Sequence, residues 1–261
     1  GLQMDNLLDM PECETLVEVE PIQKMPVAQR MDIPALPAMA TWVNLRELGA
    51  KGDGETDDTK AIQEAIDKYD NIYVPQGWYR ITETLKMKPN TKLIGLHPFG
   101  TQFRLNESTA AFSGFGGPKA MVESSEGGAN MLVGIGINTG GYNHRAVGVK
   151  WMANADSYMN DVKFVGGHGG LWKPKPGVAE PRGWWERPVR ISSPDNPVAA
   201  SGMDLAWDNQ YWSLWVTNNG GGTFKDIWTA STYATNGFYA NNTSTPGRIY
   251  AMSIEHHVRN E

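Results

Sequence analysis

A carboxylate followed by two imidazoles, at Glu255, His256 and His257, is the strongest chemical signal in the sequence. The apolar run at residues 250–254 predicts a strand leading into it, so Glu255 and His257 should face one side and His256 the other. Neighbouring imidazoles can tune the pKa and orientation of a carboxylate for acid–base catalysis. The same triplet also fits a buried hydrogen-bonded cluster or part of a metal site, so it leaves the chemistry open.

Tryptophans on a proline-rich segment form a second group that could bind a ligand. Residues 171–197 contain six prolines, which keep such a segment out of a sheet and stiffen it. Trp172, Trp184 and Trp185 lie within it. A tryptophan offers a flat apolar face to a sugar ring and an N–H group to a hydroxyl, but the same rings could simply pack the segment against the fold. We predict that these three tryptophans bind carbohydrate.

A glycine-rich acidic stretch at residues 49–58 passes directly into an amphipathic pattern. Asp57 and Asp58 can accept from the free N–H groups of a first helical turn. The spacing therefore predicts a helix over residues 57–68 with Ile62, Ala65 and Ile66 turned inward. The acidic side chains of this stretch could also be taken for a calcium site, but they lack the regular ligand spacing of a known calcium loop. We predict no metal and no cofactor.

Short apolar runs recur along the chain with glycine and asparagine between them. They are residues 71–81, 92–95, 131–137, 158–164, 223–228 and 249–254. Such runs with turn residues between them are typical of strands. The separations between residues 131 and 158, and between residues 223 and 249, match one coil of a solenoid. A β-sandwich would also give many short strands, but the long irregular loops favour the solenoid.

Composition and charge narrow the possible partners. The chain has 261 residues, is 40% hydrophobic and carries a net charge of −6, with a mean hydropathy of −0.43. No lysine or arginine cluster is present, which argues against nucleic acid or an acidic membrane as a partner. The single cysteine, Cys13, excludes an internal disulfide. No apolar run is long enough to cross a bilayer.

The first 41 residues differ from the rest of the chain. Residues 9–40 contain five prolines and no glycine, mixed with apolar side chains, so we expect an extended, semi-rigid connector over residues 1–41. A poorly ordered tail is the other interpretation. Residues 42–261 are then a single β-helix domain, interrupted by the insertion at residues 171–197.

The stretch at residues 49–63 resembles the opening of the pectate-lyase-like superfamily, which shares a Gly-Ala-x-Gly-Asp-Gly-x-Thr-Asp-Asp-Thr-x-Ala-Ile-Gln pattern. The resemblance implies an all-β fold, a right-handed parallel β-helix whose open N-terminal end is capped by an α-helix. Together with residues 253–257, it is similar to the second β-helix of glycoside hydrolase family 55, the exo-acting β-1,3-glucanases. The similarity covers residues 42–165 and 249–258 and is poor across the insertion.

The family resemblance implies inverting hydrolysis of a β-1,3-glucan or a related polysaccharide, with Glu255 as the active-site glutamate beside His256 and His257. It also implies a general acid one coil beyond Glu261 and a preceding β-helix domain in the same polypeptide. We therefore expect the 261 residues alone to be inactive, and the protein to be secreted or periplasmic. Two alternatives stay open: a polysaccharide lyase of the same fold, with Arg248 and Arg259 near Glu255, and a non-catalytic glycan-binding or tailspike-like β-helix.

Overall fold

The computed structural model describes residues 19–25, 27, 32–140, 143–165, 210–229 and 234–254. The chain divides into two compact units, Gly1–Asp32 and Ile33–Glu261. In the first unit the described residues form neither helix nor strand, and Val19, Ile22 and Met25 are exposed. The boundary predicted at residue 41 stays a prediction.

The second unit contains one short 3-10 helix (Met39–Thr41), the α-helix α1 (Thr59–Lys68) and a series of short strands among its described residues. The strands are β1 (Val43–Asn44), β2 (Asp53–Asp57), β3 (Asn71–Tyr73), β4 (Gly77–Arg80), β5 (Leu85–Lys86), β6 (Lys92–Ile94), β7 (Thr101–Arg104), β8 (Lys119–Glu123), β9 (Met131–Val133), β10 (Gly136–Asn138), β11 (Ala146–Trp151), β12 (Tyr158–Asn160), β13 (Lys163–Val165), β14 (Gln210–Val216), β15 (Gly222–Thr229), β16 (Ala234–Ala240) and β17 (Gly247–Ile254).

All paired strands run parallel, and the chain visits three stacks of strands in turn. Face 1 is β1, β3, β6, β9, β12 and the first half of β15; face 2 is β2, β4, β7, β10, β13 and the second half of β15; face 3 is β5, β8, β11, β14 and β16. β17 pairs with β15 along its length and so extends both face 1 and face 2. This repeated circuit is a parallel β-helix, which confirms the fold class that the sequence predicts. Crossovers between parallel strands are almost always right-handed.

Inward-facing residues at equivalent register positions of successive coils stack into apolar ladders that line the interior. The face 1 ladder is Val43, Ile72, Leu93, Leu132, Met159 and Phe224, and it ends at Ile249, which is 51% exposed. The face 2 ladder is Tyr79, Phe103, Ile137 and Phe164, and the face 3 ladder is Leu85, Val122, Val149, Leu214 and Phe238. Each fully buried aliphatic side chain contributes about 1.5–3 kcal/mol. Because side chains alternate along a strand, the residues between these positions face outward.

The helix α1 packs its apolar stripe on the interior, with Ile62, Ala65 and Ile66 at most 2% exposed. This confirms the inward side of the predicted helix, although the helix begins at Thr59. The side-chain amide of Gln63 accepts from the Lys86 N–H at 2.8 Å and donates to the Lys86 carbonyl at 3.1 Å. These bonds occupy backbone groups of β5, the edge strand of face 3, which would otherwise be open to pairing.

The two aspartates before α1 have different roles. Asp57 accepts from the Thr59 N–H at 3.1 Å, as the sequence predicts for a residue at a helix start. Asp58 is only 1% exposed and makes no capping bond, so the capping role expected for it is wrong. Its carboxylate instead accepts from the N–H groups of Lys51 and Gly52, at 2.7 and 2.9 Å. Asp58 therefore fastens the preceding loop, because two adjacent backbone donors there lack other partners.

Candidate functional site

The corner between face 1 and face 2 is built from residues with left-handed backbone angles. Gly134, Asp161, Asp226 and Ala251 have φ values of 62°, 49°, 51° and 57°, and the strand register places them one above another. Aspartate is several-fold enriched in this conformation, whereas alanine is rarely found in it. The turn geometry thus explains why aspartates occur here, independently of any catalytic role.

A groove of about 670 Å³ lies beside this corner, at the coils that contain β13, β15 and β17. It is lined by Asp161, Lys163, Asp226, Ile227, Trp228, Ala251, Met252 and Ser253. We call it the corner groove. β13, β15 and β17 contribute its walls, and β17 is the strand that leads to Glu255 in the sequence. Lys163, Trp228 and Ser253 occupy the same outward position on these three strands.

Lysines neutralise both carboxylates of the corner groove. The Lys163 ammonium lies 3.1 Å from the Asp161 carboxylate and donates to the Asp226 carbonyl at 3.0 Å. Asp226 also pairs with Lys225, and this hydrogen bond raises the pKa of Lys225. Carboxylate oxygens have several acceptor positions each. The oxygens of Asp161 and Asp226 can therefore accept bonds from hydroxyl groups in addition to their lysine partners.

An aromatic surface runs along the outside of face 2 from the corner groove. Trp228 meets the edge of Phe99 with ring centroids 5.9 Å apart, and Phe99 also lines a second hollow of about 770 Å³ together with Trp78. Phe99 and Trp78 are 44% and 46% exposed. We call Trp78, Phe99 and Trp228 the aromatic track. Trp228 is half-buried, with the Lys163 ammonium 5.9 Å from its ring centroid. Partly exposed indole and phenyl rings in a row suit the apolar faces of successive sugar rings.

A glycine on face 2 allows the loop that carries Phe99 to reach Trp228. The outward position between Gln102 and Lys163 in the register is Gly136. A side chain there would come within 2.1 Å of the Pro98 carbonyl oxygen. Only glycine leaves room for the loop to lie across the face at this point, so Gly136 positions Phe99.

The site residues that the sequence predicts lie outside the described part of the chain. This holds for Glu255, His256 and His257, and equally for Trp172, Trp184 and Trp185. Their placement stays a prediction. The structure describes the chain up to Ile254, which pairs with Thr229 at the end of β15.

Sequence reasoning missed the aromatic track. Trp78 and Trp228 stand in outward positions of strands whose inward neighbours are buried. A large aromatic residue at an outward strand position was a signal that could have identified them. Phe99 carries no such signal, because it lies in a loop and reaches Trp228 only through the coil stacking.

The acidic loop before α1 uses its carboxylates for its own turns. The Asp53 carboxylate accepts from the N–H groups of Glu55 and Thr56 and from the Thr56 hydroxyl, at 2.7–2.8 Å. These bonds lower the pKa of Asp53 to about 2. In the described ranges no cluster of three or more His, Cys, Asp or Glu side chains is arranged to hold a metal ion. No helix within those ranges is long and apolar enough to cross a bilayer.

Comparison with known protein families shows the family of the chain. Residues 42–247 match the family model described as rhamnogalacturonase A/epimerase, pectate lyase-like. The chain belongs to this family. The match includes every strand that lines the aromatic track and the beginning of β17. Membership confirms the superfamily resemblance that the sequence shows, at the level of a carbohydrate-active β-helix family.

The chain matches only short parts of its individual relatives, which are longer proteins. It is 33% identical over 141 residues to "Probable glucan endo-1,3-beta-glucosidase" of Arthroderma benhamiae, covering 49% of this chain and 16% of that protein. It is 43% identical over 53 residues to the preneck appendage protein of Bacillus phage PZA, covering 20% of this chain and 6% of that protein. The iota-carrageenase of family GH82 from A. fortis aligns with a TM-score of 0.46 at 14% identity, covering 87% of this chain and 43% of that one.

Proposed function

We propose that this family member is part of an inverting glycoside hydrolase that acts on β-1,3-glucan or a related polysaccharide. The observation that carries the proposal is the aromatic track, which runs on the outside of face 2 to the corner groove beside β17. β17 leads directly to Glu255, which sequence analysis predicts as the active-site glutamate. The named glucosidase relative supports a β-1,3-glucan as substrate.

The direction of the Glu255 side chain is part of the proposal. Ser253 is exposed and Ile254 is half-buried at the end of β17. Continued alternation would put Glu255 and His257 on the side of Ser253, outside the β-helix, and His256 on the other. An ionised carboxylate is costly to bury without a partner, which also favours the outer groove.

The proposed chemistry follows from inversion at the anomeric carbon. One carboxylic acid protonates the leaving oxygen, and a second group activates water from the opposite side, with the carboxyl groups about 6.5–9.5 Å apart. Glu255 positions this water or tunes the acid, with His256 and His257 fixing its orientation. The general acid is proposed to lie on a coil that follows residue 261, as in the family 55 resemblance. Asp161 and Asp226 hold sugar hydroxyls.

Trp172, Trp184 and Trp185 are proposed to add sugar-binding faces next to the aromatic track. The partner is a polysaccharide, not nucleic acid or a membrane, and the protein is proposed to be secreted or periplasmic. As in the family 55 resemblance, a preceding β-helix domain and further coils of the same polypeptide are proposed as partners of this chain.

Binding of a neutral β-1,3-linked hexasaccharide to the 261-residue chain tests the location of the site. Phe99→Ala and Trp228→Ala should each weaken binding about tenfold, since a good aromatic contact is worth about 1–3 kcal/mol. Trp184→Ala with Trp185→Ala tests the insertion in the same assay. Phe115→Ala is the matched control, because Phe115 is fully exposed away from the track. Unchanged affinity in both track variants, with the fold intact, would place the glycan elsewhere.

The second candidate is the tailspike-like β-helix that binds glycan without cleaving it, and the match to a phage appendage protein favours keeping this candidate. Hexasaccharide binding that depends on the aromatic track, without reducing-end release by a longer polypeptide that contains the chain, would favour this candidate. Release of unsaturated products would instead indicate a lyase.

A further inference from the structure

The side chain at the corner between face 1 and face 2 changes from coil to coil. Starting on the coil of β9, the corner residues are Gly134, Asp161, Asp226 and Ala251. A Cβ at Gly134 would come within 2.4 Å of the Gly95 carbonyl oxygen, so backbone closes the corner there. The next two coils carry carboxylates, and the coil of β17 carries only a methyl group.

Ala251 is a strained residue. Its φ is 57°, a conformation in which the Cβ of an L-residue crowds the following carbonyl oxygen. Aspartate and asparagine adopt this conformation more readily than alanine. Asp161 and Asp226 therefore suit the turn, whereas Ala251 does not. Strained residues cluster at ligand-binding sites, which points to a functional reason for the short side chain.

The methyl group of Ala251 leaves the corner groove open at the coil of β17. Ala251 is exposed and lines the groove. The register puts it next to Asp226, and parallel neighbours lie about 4.8 Å apart. A side chain as long as that of aspartate at position 251 would therefore stand in the groove beside the Asp226 carboxylate.

The outward position two residues further along the strands becomes smaller at the same coil. Lys163, Trp228 and Ser253 occupy it on β13, β15 and β17. On β13 the neighbour of Trp228 is Lys163, whose ammonium lies 5.9 Å from the ring centroid. On β17 the neighbour is Ser253, which is exposed. Two short side chains, Ala251 and Ser253, thus border an indole ring and a carboxylate.

We propose that Ala251 sets the size of the sugar-binding space in the corner groove, and that one ring of a neutral glycan lies over β17 against Trp228. The apolar face of the sugar contacts the indole, and a sugar hydroxyl donates to the Asp226 carboxylate, which has acceptor positions besides the one that Lys225 uses. The strain at Ala251 persists because asparagine and aspartate, which fit the turn better, would fill this space.

The inference rests on the proposed function in taking the ligand to be a glycan in the corner groove. It deepens that proposal by naming the residue that limits the size of the bound sugar. Lys163 pairs with Asp161, and Lys225 pairs with Asp226. The charges of these two pairs cancel, which suits a neutral sugar.

Calorimetric binding of the neutral β-1,3-linked hexasaccharide to variants of the 261-residue chain, together with their melting temperatures, tests the inference. Ala251→Asn should raise the melting temperature by about 2–4 °C, because asparagine fits the left-handed turn. It should also weaken binding about tenfold, because it fills the groove. Ala251→Gly relieves the same strain and fills nothing, so it should not lower the melting temperature and should keep the affinity within about threefold.

Ser108→Asn is the matched control. Ser108 is also left-handed, with a φ of 50°, and exposed, but it lies in the loop between β7 and β8, outside the groove. This variant should gain stability in the same way and leave the affinity unchanged. Weaker binding at position 251 alone separates the filling of the groove from the relief of strain.

A folded Ala251→Asn variant that binds as tightly as the wild type would overturn the inference, as would equal losses of affinity in the asparagine and glycine variants. If Ala251→Asn does not fold, Ala251→Ser decides, because its side chain is intermediate in size and should weaken binding by a smaller factor. Phe99→Ala separates the two ideas. Weaker binding in Phe99→Ala with unchanged binding in Ala251→Asn contradicts only this inference, and the reverse pattern contradicts only the aromatic track.

Discussion

Asp58 holds the loop before α1 through two backbone N–H groups, at Lys51 and Gly52. Gly52 has a φ of 62°, and a Cβ there would come within 2.8 Å of the Tyr79 ring. The loop is therefore fixed from both sides, by a buried carboxylate and by contact with an interior aromatic ring. Single residues such as these set the geometry in which β2 and α1 begin.

Replacing Asp58 by alanine should destabilise the protein by about 3 kcal/mol, because two backbone donors would lose their acceptor. Urea unfolding at neutral pH measures this difference. Glu55→Ala is the matched control in the same loop, since the Glu55 side chain is exposed, and it should stay within about 0.5 kcal/mol of the wild type. Equal effects of the two changes would show that the loop is not held by Asp58.

Asp53 makes the stability depend on acid pH. Its pKa falls from 3.8 to about 2 on folding, through bonds from Thr56 and Glu55. The stabilisation is therefore complete above about pH 4 and is lost as the pH falls towards 2. Asp53→Asn should be less stable than the wild type at pH 6, and the two unfolding free energies should converge as the pH falls through about 2. A gap that stays constant across this range would contradict the assignment.

The helix α1 contacts the β-helix through two adjacent residues that have different roles. Ile62 is fully buried, and the neighbouring Gln63 bonds both backbone groups of Lys86 on β5. The helix thus closes the interior with its apolar stripe and covers a strand edge with one amide. Both roles come from adjacent residues of the same motif.

Ile62→Asp should cost at least about 3 kcal/mol, because a charge would enter the interior without a partner. The midpoint of thermal or urea unfolding measures the loss. Lys60→Asp changes an exposed position of the same helix and should have little effect. A folded Ile62→Asp variant of wild-type stability would mean that α1 does not cap the interior.

For single elements, the sequence predicts α1 and the apolar strands, because helical and alternating patterns reflect which side of an element is buried. It does not predict that residues 71–81 divide into β3 and β4, or that β15 and β17 each bend across a corner. Those bends depend on left-handed residues such as Asp226 and Ala251. Alanine carries no sequence signal for that conformation.

At the scale of the molecule, coil stacking brings together residues that are far apart in the sequence. Trp78, Phe99 and Trp228 form one such surface. No spacing rule within a strand or helix links these positions, since the coils differ in length. The fold was therefore predictable from the sequence, whereas the outward surface required the register. The positions of Glu255, His256 and His257 relative to that surface remain predictions.

The most direct test of the account is the rate of reducing-end release from a β-1,3-glucan by a longer polypeptide that contains this chain. Glu255→Gln keeps the shape of the side chain and removes its charge, so kcat should fall by two or more orders of magnitude at an unchanged melting temperature. Glu126→Gln, at an exposed position, should leave kcat unchanged. Full activity of the Glu255→Gln variant, or robust hydrolysis by the 261 residues alone, would contradict the account.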